Sequence, residues 1–131
     1  MSLDKIRKLV EGRIKSEWTQ TPFAFANLPY NPERGVSYIE VFVIPGEGSQ
    51  ISLGDNAALN RWFGIIDISV MVPKNTGTHK AFSLASDLID LFYHFDQEGL
   101  VCLTGSMTPF TPPGDWVQYK VTIPFYYDEV K

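Results

Sequence analysis

The sequence predicts an α+β fold, a mostly antiparallel β-sheet with two helices packed on one face. Two kinds of pattern lead to this prediction. Apolar and polar residues alternate along the longest predicted strands, which is the period of a strand with one buried face. Two other segments repeat apolar residues every three or four positions, which is the period of an amphipathic helix. The predicted order is helix, strand, strand, helix, strand, strand.

The composition is that of an ordinary soluble globular protein. The chain has 131 residues, of which 44% are hydrophobic and 20% charged. We therefore expect one domain over residues 1–131 with a sizeable core. Because no run of about 18 apolar residues occurs, we expect no membrane span, and the N-terminus lacks the apolar region of a signal peptide. A net charge of −4 with scattered basic residues argues against nucleic-acid recognition.

The first helix is predicted from Leu3 to about Trp18, ending before Pro22, because the residue that precedes a proline avoids the helical region. Phe23–Phe25 is compatible with a short strand, and the segment up to Gly35 is predicted to be irregular. The apolar stripe of the helix consists of Leu3, Ile6, Leu9, Val10 and Ile14.

Two strands are predicted in the middle of the chain, over Ser37–Pro45 and from Arg61 to Pro73. We expect them to form an antiparallel pair. The polar stretch Glu47–Asn60 predicts a wide connecting loop between them and not a tight hairpin. The buried face of the second strand is predicted to carry Trp62, Gly64, Ile66, Ile68, Val70 and Val72.

The second helix is predicted from about Thr78 to Phe95 and is the natural cover for the buried face of the sheet. A weaker strand follows over Leu100–Thr108, and a long strand over Trp116–Tyr127 closes the fold. Pro124 interrupts the polar parity of that last strand, which predicts either an edge position or a bulge. The apolar face of the helix consists of Ala81, Leu84, Ala85, Leu88, Leu91, Phe92 and Phe95.

The residue types that perform catalysis or bind metals do not converge in the sequence. His79 and His94 are fifteen positions apart, about 22 Å along a helix, so one chain cannot use both for one metal. Asp87 and Asp90 fall on the solvent-facing side of the second helix. Cys102, the only cysteine, is flanked by apolar residues and is interpreted as a small buried hydrophobe. We predict no catalytic residue, no metal site and no cofactor.

The aromatic share of 14% exceeds what a core of this size needs, so some rings are expected to face a partner. Trp62 and Trp116 each stand at the start of a long strand. Arg61 precedes Trp62, and this pairing of residue types is favoured at protein interfaces.

The middle of the chain carries four motifs, which are the strand YIEVFVIPGE, the turn Gln50-x-Ser52-Leu53-Gly54, Arg61-x-x-Gly64 at the start of a strand, and Pro73-x-x-x-Gly77. Together they resemble the phage tail terminator-like family of minor tail proteins of long-tailed phages, including prophage-encoded copies. The order of elements resembles that family over nearly the whole chain. The helix that follows carries Ala81, Leu84, Ala85, Asp87 and Phe92.

The resemblance implies a structural virion assembly protein without catalysis. A ring of subunits, typically a hexamer, would cap the tail tube, end tail polymerisation and offer the head-joining surface. The implied partners are further copies of the chain, the tail-tube protein and a head-completion or connector protein. The implied location is the host cytoplasm during assembly and then the virion tail. Oligomer or tube contacts are expected at Gln50, Ser52, Leu53, Gly54, Arg61 and Trp62.

Two alternatives remain open. The chain could be another head-tail connector or tail-completion protein of the same phage module. It could also be a ligand-binding α+β domain with a pocket between helix and sheet, lined by Phe82, Tyr93 and Trp116. The scatter of acid and base groups counts against an enzyme of that kind.

Overall fold

A computed structural model of the protein describes residues 3–26, 28, 30–53, 58–75, 78–110, 114 and 116–130. The elements within these residues are α1 (Leu3–Glu17), β1 (Phe23–Phe25), β2 (Tyr38–Leu53), β3 (Ala58–Pro73), α2 (His79–Phe92), β4 (Asp96–Gln97), β5 (Leu100–Cys102), β6 (Ser106–Phe110) and β7 (Trp116–Val130).

The strands form one sheet in the order β1-β2-β3-β7-β5-β4, with β6 also pairing with β7. β1 runs parallel to β2, and the other neighbours are antiparallel. β3 lies at the centre, because it pairs along its length with β2 on one side and with β7 on the other. This topology confirms the predicted α+β class with a mostly antiparallel sheet.

Both helices pack on the same face of the sheet, which we call the inner face. The inner face carries the apolar residues predicted for β3 and the alternating residues of β7 that lie beside them. These residues and those of α1 and α2 form one hydrophobic cluster. α1 buries Ile6, Val10 and Ile14. α2 buries Ala81, Leu84, Ala85, Leu88 and Phe92.

The helix boundaries agree with the sequence to within about a turn. α1 ends one residue before the predicted Trp18, whereas α2 stops three residues before the predicted Phe95. The backbone of Tyr93 is extended, and His94 adopts a positive φ of 57°. These two conformations cannot continue a right-handed helix, and they turn the chain towards β4.

The predicted wide loop over Glu47–Asn60 is wrong. β2 continues to Leu53 and β3 begins at Ala58, so the two strands form a long hairpin. Register shifts after Pro45 and after Gln50 accommodate extra residues in β2. The glycines and polar residues of this stretch weaken strand propensity, but backbone pairing with β3 along the hairpin overrides that preference, and the bulges absorb the irregularity.

The predicted strand Leu100–Thr108 is also interrupted. Cys102 pairs with Phe125 and Ser106 with Thr122, so this side has one residue more than β7. The amide of Leu103 donates to the carbonyl oxygen of Pro124 at 2.8 Å. The nitrogen and oxygen of one residue in an antiparallel strand face the same neighbour. The nitrogen of Pro124, which has no proton to donate, therefore faces the bulge. Of the two predicted explanations for Pro124, an edge position or a bulge, the structure confirms the bulge.

Candidate interaction surface

The hairpin of β2 and β3 is much longer than the helices that cover the sheet. Each strand has 16 residues, about 53 Å when extended. The helices have 15 and 14 residues, about 22 Å each. A large part of the three-stranded unit of β2, β3 and β7 therefore extends beyond the helical layer. We call the part from the Gly48–Trp62 pair to the Leu53–Ala58 pair the hairpin end.

The sheet face opposite the helices, the outer face, carries a cluster of apolar side chains. Cross-strand register places Ile44 beside Ile65, and Ile65 beside Pro124. The adjacent row places Phe63 beside Tyr126, and Tyr126 beside Val101. We call this cluster the outer patch, and it consists of Ile44, Phe63, Ile65, Val101, Pro124 and Tyr126.

The outer patch is open to solvent although its members are apolar. Phe63 is 50% exposed and Ile44 is 45% exposed, and the other members are partly exposed. By contrast, Ile66 and Ile68, which alternate with these residues along β3, are 0% exposed on the inner face. Contiguous exposed apolar surface of this kind makes the outer patch a candidate contact site for another molecule.

Polar and charged groups border the outer patch on one side. Lys120 Nζ lies 3.4 Å from Asp67 Oδ2. The second oxygen, Asp67 Oδ1, is buried and has no hydrogen-bond partner among the described residues. An apolar centre with a polar rim is the usual arrangement of a protein–protein interface.

Arg61 borders the outer patch on the other side and is held within its own chain. Its Nε lies 2.8 Å from Asp128 Oδ1 and its Nη2 lies 2.9 Å from Asp128 Oδ2. Its guanidinium carbon lies 4.0 Å from the ring centroid of Tyr126. The hydrogen bond to Asp128 raises the pKa of the guanidinium. The fork geometry fixes the plane of the group, so Arg61 positions Tyr126 at the edge of the patch.

Trp62 lies on the inner face, on the opposite side of the sheet from Arg61. Its indole is packed against Gly48, where any Cβ would clash with the ring. The indole Nε1 is buried and has no hydrogen-bond partner among the described residues. Trp62 therefore closes the end of the core, and an unpaired buried donor is a group that a contacting molecule could satisfy.

The structure does not gather the predicted contact residues on one surface. Gln50 pairs with Asn60, two residues from Trp62 in β3, and so shares the parity of Trp62 and not of Arg61. Ser52 and Leu53 lie in β2 opposite Leu59 and Ala58, and not in a turn. Gly54 lies outside the described residues. Gln50, Ser52 and Leu53 thus lie in the strand pairing of the hairpin end.

Sequence reasoning missed the outer patch, although one signal was present. Phe63 and Ile65 are apolar residues on the parity of β3 that also carries Arg61, Asp67 and Ser69. Their partners in β2 and β7 are distant in sequence, so only the register shows that the side chains are neighbours.

The edges of the sheet are less suited to contact than its outer face. β1 pairs with β2 only at Ile39–Val41, so from Phe42 onward the outer edge of β2 has no partner strand among the described residues. Pro45 and two bulges interrupt this edge, and Pro109 interrupts β6 on the other side of the sheet. Prolines and bulges prevent edge-to-edge pairing.

The residues considered for catalysis remain apart in the fold. His79 and His94 are exposed near opposite ends of α2. Asp87 Oδ2 accepts a hydrogen bond from Gln20 at 2.8 Å. Cys102 is buried, and desolvation raises the pKa of its thiol to about 12, so the thiol stays protonated near neutral pH. No group of metal-ligating side chains occurs among the described residues.

The predicted ligand pocket is not a single site. Phe82 packs edge-on against Tyr119, with ring centroids 5.8 Å apart. Tyr93 lines a cavity of about 280 Å³ beside Cys102, whereas Trp116 lines a separate cleft of about 730 Å³. Within the described residues, neither helix has the length and apolarity that a membrane crossing requires.

Comparison with known proteins supports the resemblance found in the sequence. One solved structure is 26% identical with a TM-score of 0.63, covering 100% of this chain and 96% of that chain, and its recorded name states no function. No curated protein matches the chain. A family model described as phage tail terminator protein matches residues 5–125. Since this match spans most of the sequence, the chain belongs to the phage tail terminator family.

Proposed function

We propose that this protein caps the phage tail tube as an oligomeric ring, typically a hexamer, ends tail polymerisation and offers the surface that joins the head. Its family gives it a structural or assembly role in the phage tail. The ring, the tube contact and the head contact are our proposal. The expected partners are further copies of the chain, the tail-tube protein and a head-completion or connector protein. Assembly takes place in the host cytoplasm before the protein becomes part of the virion tail.

The outer patch is the observation that carries this proposal. Phe63 and Ile44 expose about half of their surface on a sheet face that the helices leave uncovered. Burying apolar surface contributes roughly 25 cal/mol per Å² of free energy, so covering this patch favours association. A closed ring needs two different surfaces on each subunit, and the outer patch supplies one of them.

The hairpin end is the second contact region in this proposal. It extends past the helices, so it can reach a neighbouring subunit or the tube without moving the core. We assign contacts there to the residues that the sequence predicted. They are Gln50, Ser52, Leu53, Gly54, Arg61 and Trp62.

The proposed role requires no chemical reaction. It needs complementary surfaces and a stable sheet on which to present them. The separation of His79 from His94 and the protonated thiol of Cys102 are consistent with a protein that acts by binding alone.

The test is the light-scattering mass after size exclusion, measured for the protein alone and then with purified tail-tube protein. We expect a ring, or a mass gained only when tube protein is present. Phe63→Glu should abolish the ring and the increase in mass on adding tube protein, because the substitution places a charge in the outer patch. Phe82→Glu is the matched control, since Phe82 is 51% exposed on α2 and lies outside the patch.

Three outcomes would contradict the proposal or its assigned interface. A wild-type protein that stays monomeric and does not bind the tube protein would contradict the proposed role as a tail terminator. Binding to a connector protein without binding to the tube would support the alternative head-tail connector instead. Equal assembly by Phe63→Glu and wild type would exclude the outer patch as the interface.

A further inference from the structure

A cleft opens at the end of the sheet opposite the hairpin end. Pro73 of β3 and Trp116 of β7 form the last register pair there. The cleft has a volume of about 730 Å³, which is of the order of small-ligand pockets. We call it the basic cleft, because Arg34 and Lys74 line it together with Trp116 and two prolines.

Arg34 and Lys74 differ from most cations of the chain because neither has an ion-pair partner in the described part of the protein. The cations that do form ion pairs there are Lys5, Arg7, Lys8, Arg13, Arg61 and Lys120. The protein as a whole is acidic, with a net charge of −4. Two unpaired cations in one cleft of an acidic protein form a local site for an anionic group.

The backbone and the aromatic side chains around the basic cleft are held in place. Gly35 has a φ of 79° and Asn75 a φ of 68°, so left-handed turns shape both walls. The amide of Val36 donates to the carbonyl of Glu33 at 3.1 Å, which closes a turn around Arg34. A site whose walls are already formed loses little conformational entropy on binding.

The ring of Trp116 is packed against other aromatic side chains. Its ring makes an edge contact with Tyr38, at a centroid distance of 5.2 Å. Tyr38 in turn lies 5.0 Å from the ring of Tyr30. The packed rings give the cleft an apolar surface beside its cations, and such rings are favoured contacts in protein recognition.

We propose that the basic cleft binds an acidic segment of a partner protein of the tail. Aspartate or glutamate side chains of an extended segment would pair with Arg34 and Lys74, and apolar parts would pack on Trp116 and the prolines. Charge complementarity selects this occupant over DNA. Proteins that hold a nucleic-acid backbone neutralise many phosphates, whereas the described lining of this cleft has two cations in an acidic protein.

The basic cleft is separate from the outer patch. Pro73 lies eight positions after Ile65 in β3, a distance of about 26 Å along the strand. Both surfaces can therefore be occupied at once. The proposal does not depend on ring formation, because the cleft is built entirely within one chain.

The experiment uses the full chain and a capped eight-residue peptide of alternating Glu and Asp, titrated at low salt and followed by calorimetry. We expect saturable binding that weakens as salt is added. Arg34→Gln with Lys74→Gln should weaken it by at least about tenfold. The control is Lys15→Gln with Lys80→Gln, which removes the same charge at exposed sites outside the cleft and should change affinity less than about twofold.

Three results would overturn the proposal. The first is no saturation of the wild type by about 1 mM peptide. The second is an equal loss of affinity in both double variants, because this would show general charge attraction. The third is tighter binding of an oligothymidine of equal length than of the peptide. Repeating the titration with Phe63→Glu separates this proposal from the ring, since that variant should still bind the peptide.

Discussion

The two faces of the sheet use the same alternating strands for different purposes. On the inner face, Ile66, Ile68 and Val70 are each 0% exposed beneath the helices. On the outer face, Phe63 remains 50% exposed. The difference does not come from the strands, because both sets of residues alternate along β3. It comes from the helices, which cover one face only, and it leaves an apolar surface available for another molecule.

The outer face is itself divided along the strands. Towards the basic cleft it carries polar pairs, such as the amide of Gln118, which donates to the hydroxyl of Ser69 at 2.6 Å. Ser69 is buried although it lies on the polar parity of β3. Towards the hairpin end the same face becomes apolar. The exposed apolar residues Ile44 and Phe63 therefore lie in the part of the outer face that is nearer the hairpin end.

Removing a phenylalanine side chain from each face should affect stability very differently. Phe125→Ala on the inner face should lower the free energy of unfolding by about 3–5 kcal/mol, because Phe125 is 1% exposed and leaves a cavity. Phe63→Ala on the outer face should cost less than about 1 kcal/mol in the monomer. Urea unfolding measures both. Equal losses would mean that the outer face is packed against something within the chain.

Replacing a glycine by alanine should have opposite effects on stability in the sheet and on the surface of α1. A Cβ at Gly64 would lie 2.6 Å from Phe125 Cζ and 2.7 Å from the carbonyl oxygen of Ile44. Gly64→Ala should therefore destabilise the protein by about 1–3 kcal/mol. Gly12→Ala on the exposed side of α1 meets nothing within 4 Å and should stabilise it by up to about 1 kcal/mol. Thermal unfolding separates the two, and a stabilising Gly64→Ala would be incompatible with the close packing of the sheet.

Arg61 tests the rim of the outer patch. Arg61→Ala should change the unfolding midpoint little, because the pair with Asp128 is partly exposed, yet it should reduce assembly with tube protein by releasing Tyr126. Arg7→Ala, which removes an ion-paired cation from the surface of α1, is the control and should leave assembly intact. If assembly and tail length were unchanged in Arg61→Ala, the assignment of Arg61 to the interface would be wrong.

The smallest expected effect on stability comes from Cys102, and it appears only at high pH. Burial raises the pKa of its thiol from the ordinary 9.0 to about 12. Above pH 9 the thiol ionises in the unfolded chain but not in the folded one, so its contribution to stability is complete below pH 9 and is lost as the pH approaches 12. Cys102→Ala should lack this component of the pH dependence. Rapid reaction of the native thiol with a disulfide reagent at neutral pH would contradict its burial.

Much of the fold could be predicted because local periodicity carries it. The three- and four-residue spacing of α1 and the strict alternation of β3 each define a buried face without knowledge of the partner. The fate of Glu47–Asn60 could not be predicted in this way. Its glycines and polar residues favour a loop locally, and only pairing with β3 makes most of it a strand.

The candidate site was less predictable than the fold. Arg61 and Trp62 were recognised as an interface composition, but neighbours in a strand point to opposite faces, and the structure separates them. Register brings Ile44, Phe63 and Tyr126 together on the outer face, and the sequence places them far apart. The turn before β2 and the turn after β3 likewise meet only at the basic cleft.

The family, the α+β class and the inner face follow from the amino-acid sequence, because each depends on motifs or on the spacing of residues within one segment. The length of the hairpin, the outer patch and the basic cleft become apparent only in the folded chain. These features depend on which residues lie side by side in different strands and turns. That relation is set by backbone register across the sheet, and the spacing within a segment does not encode it.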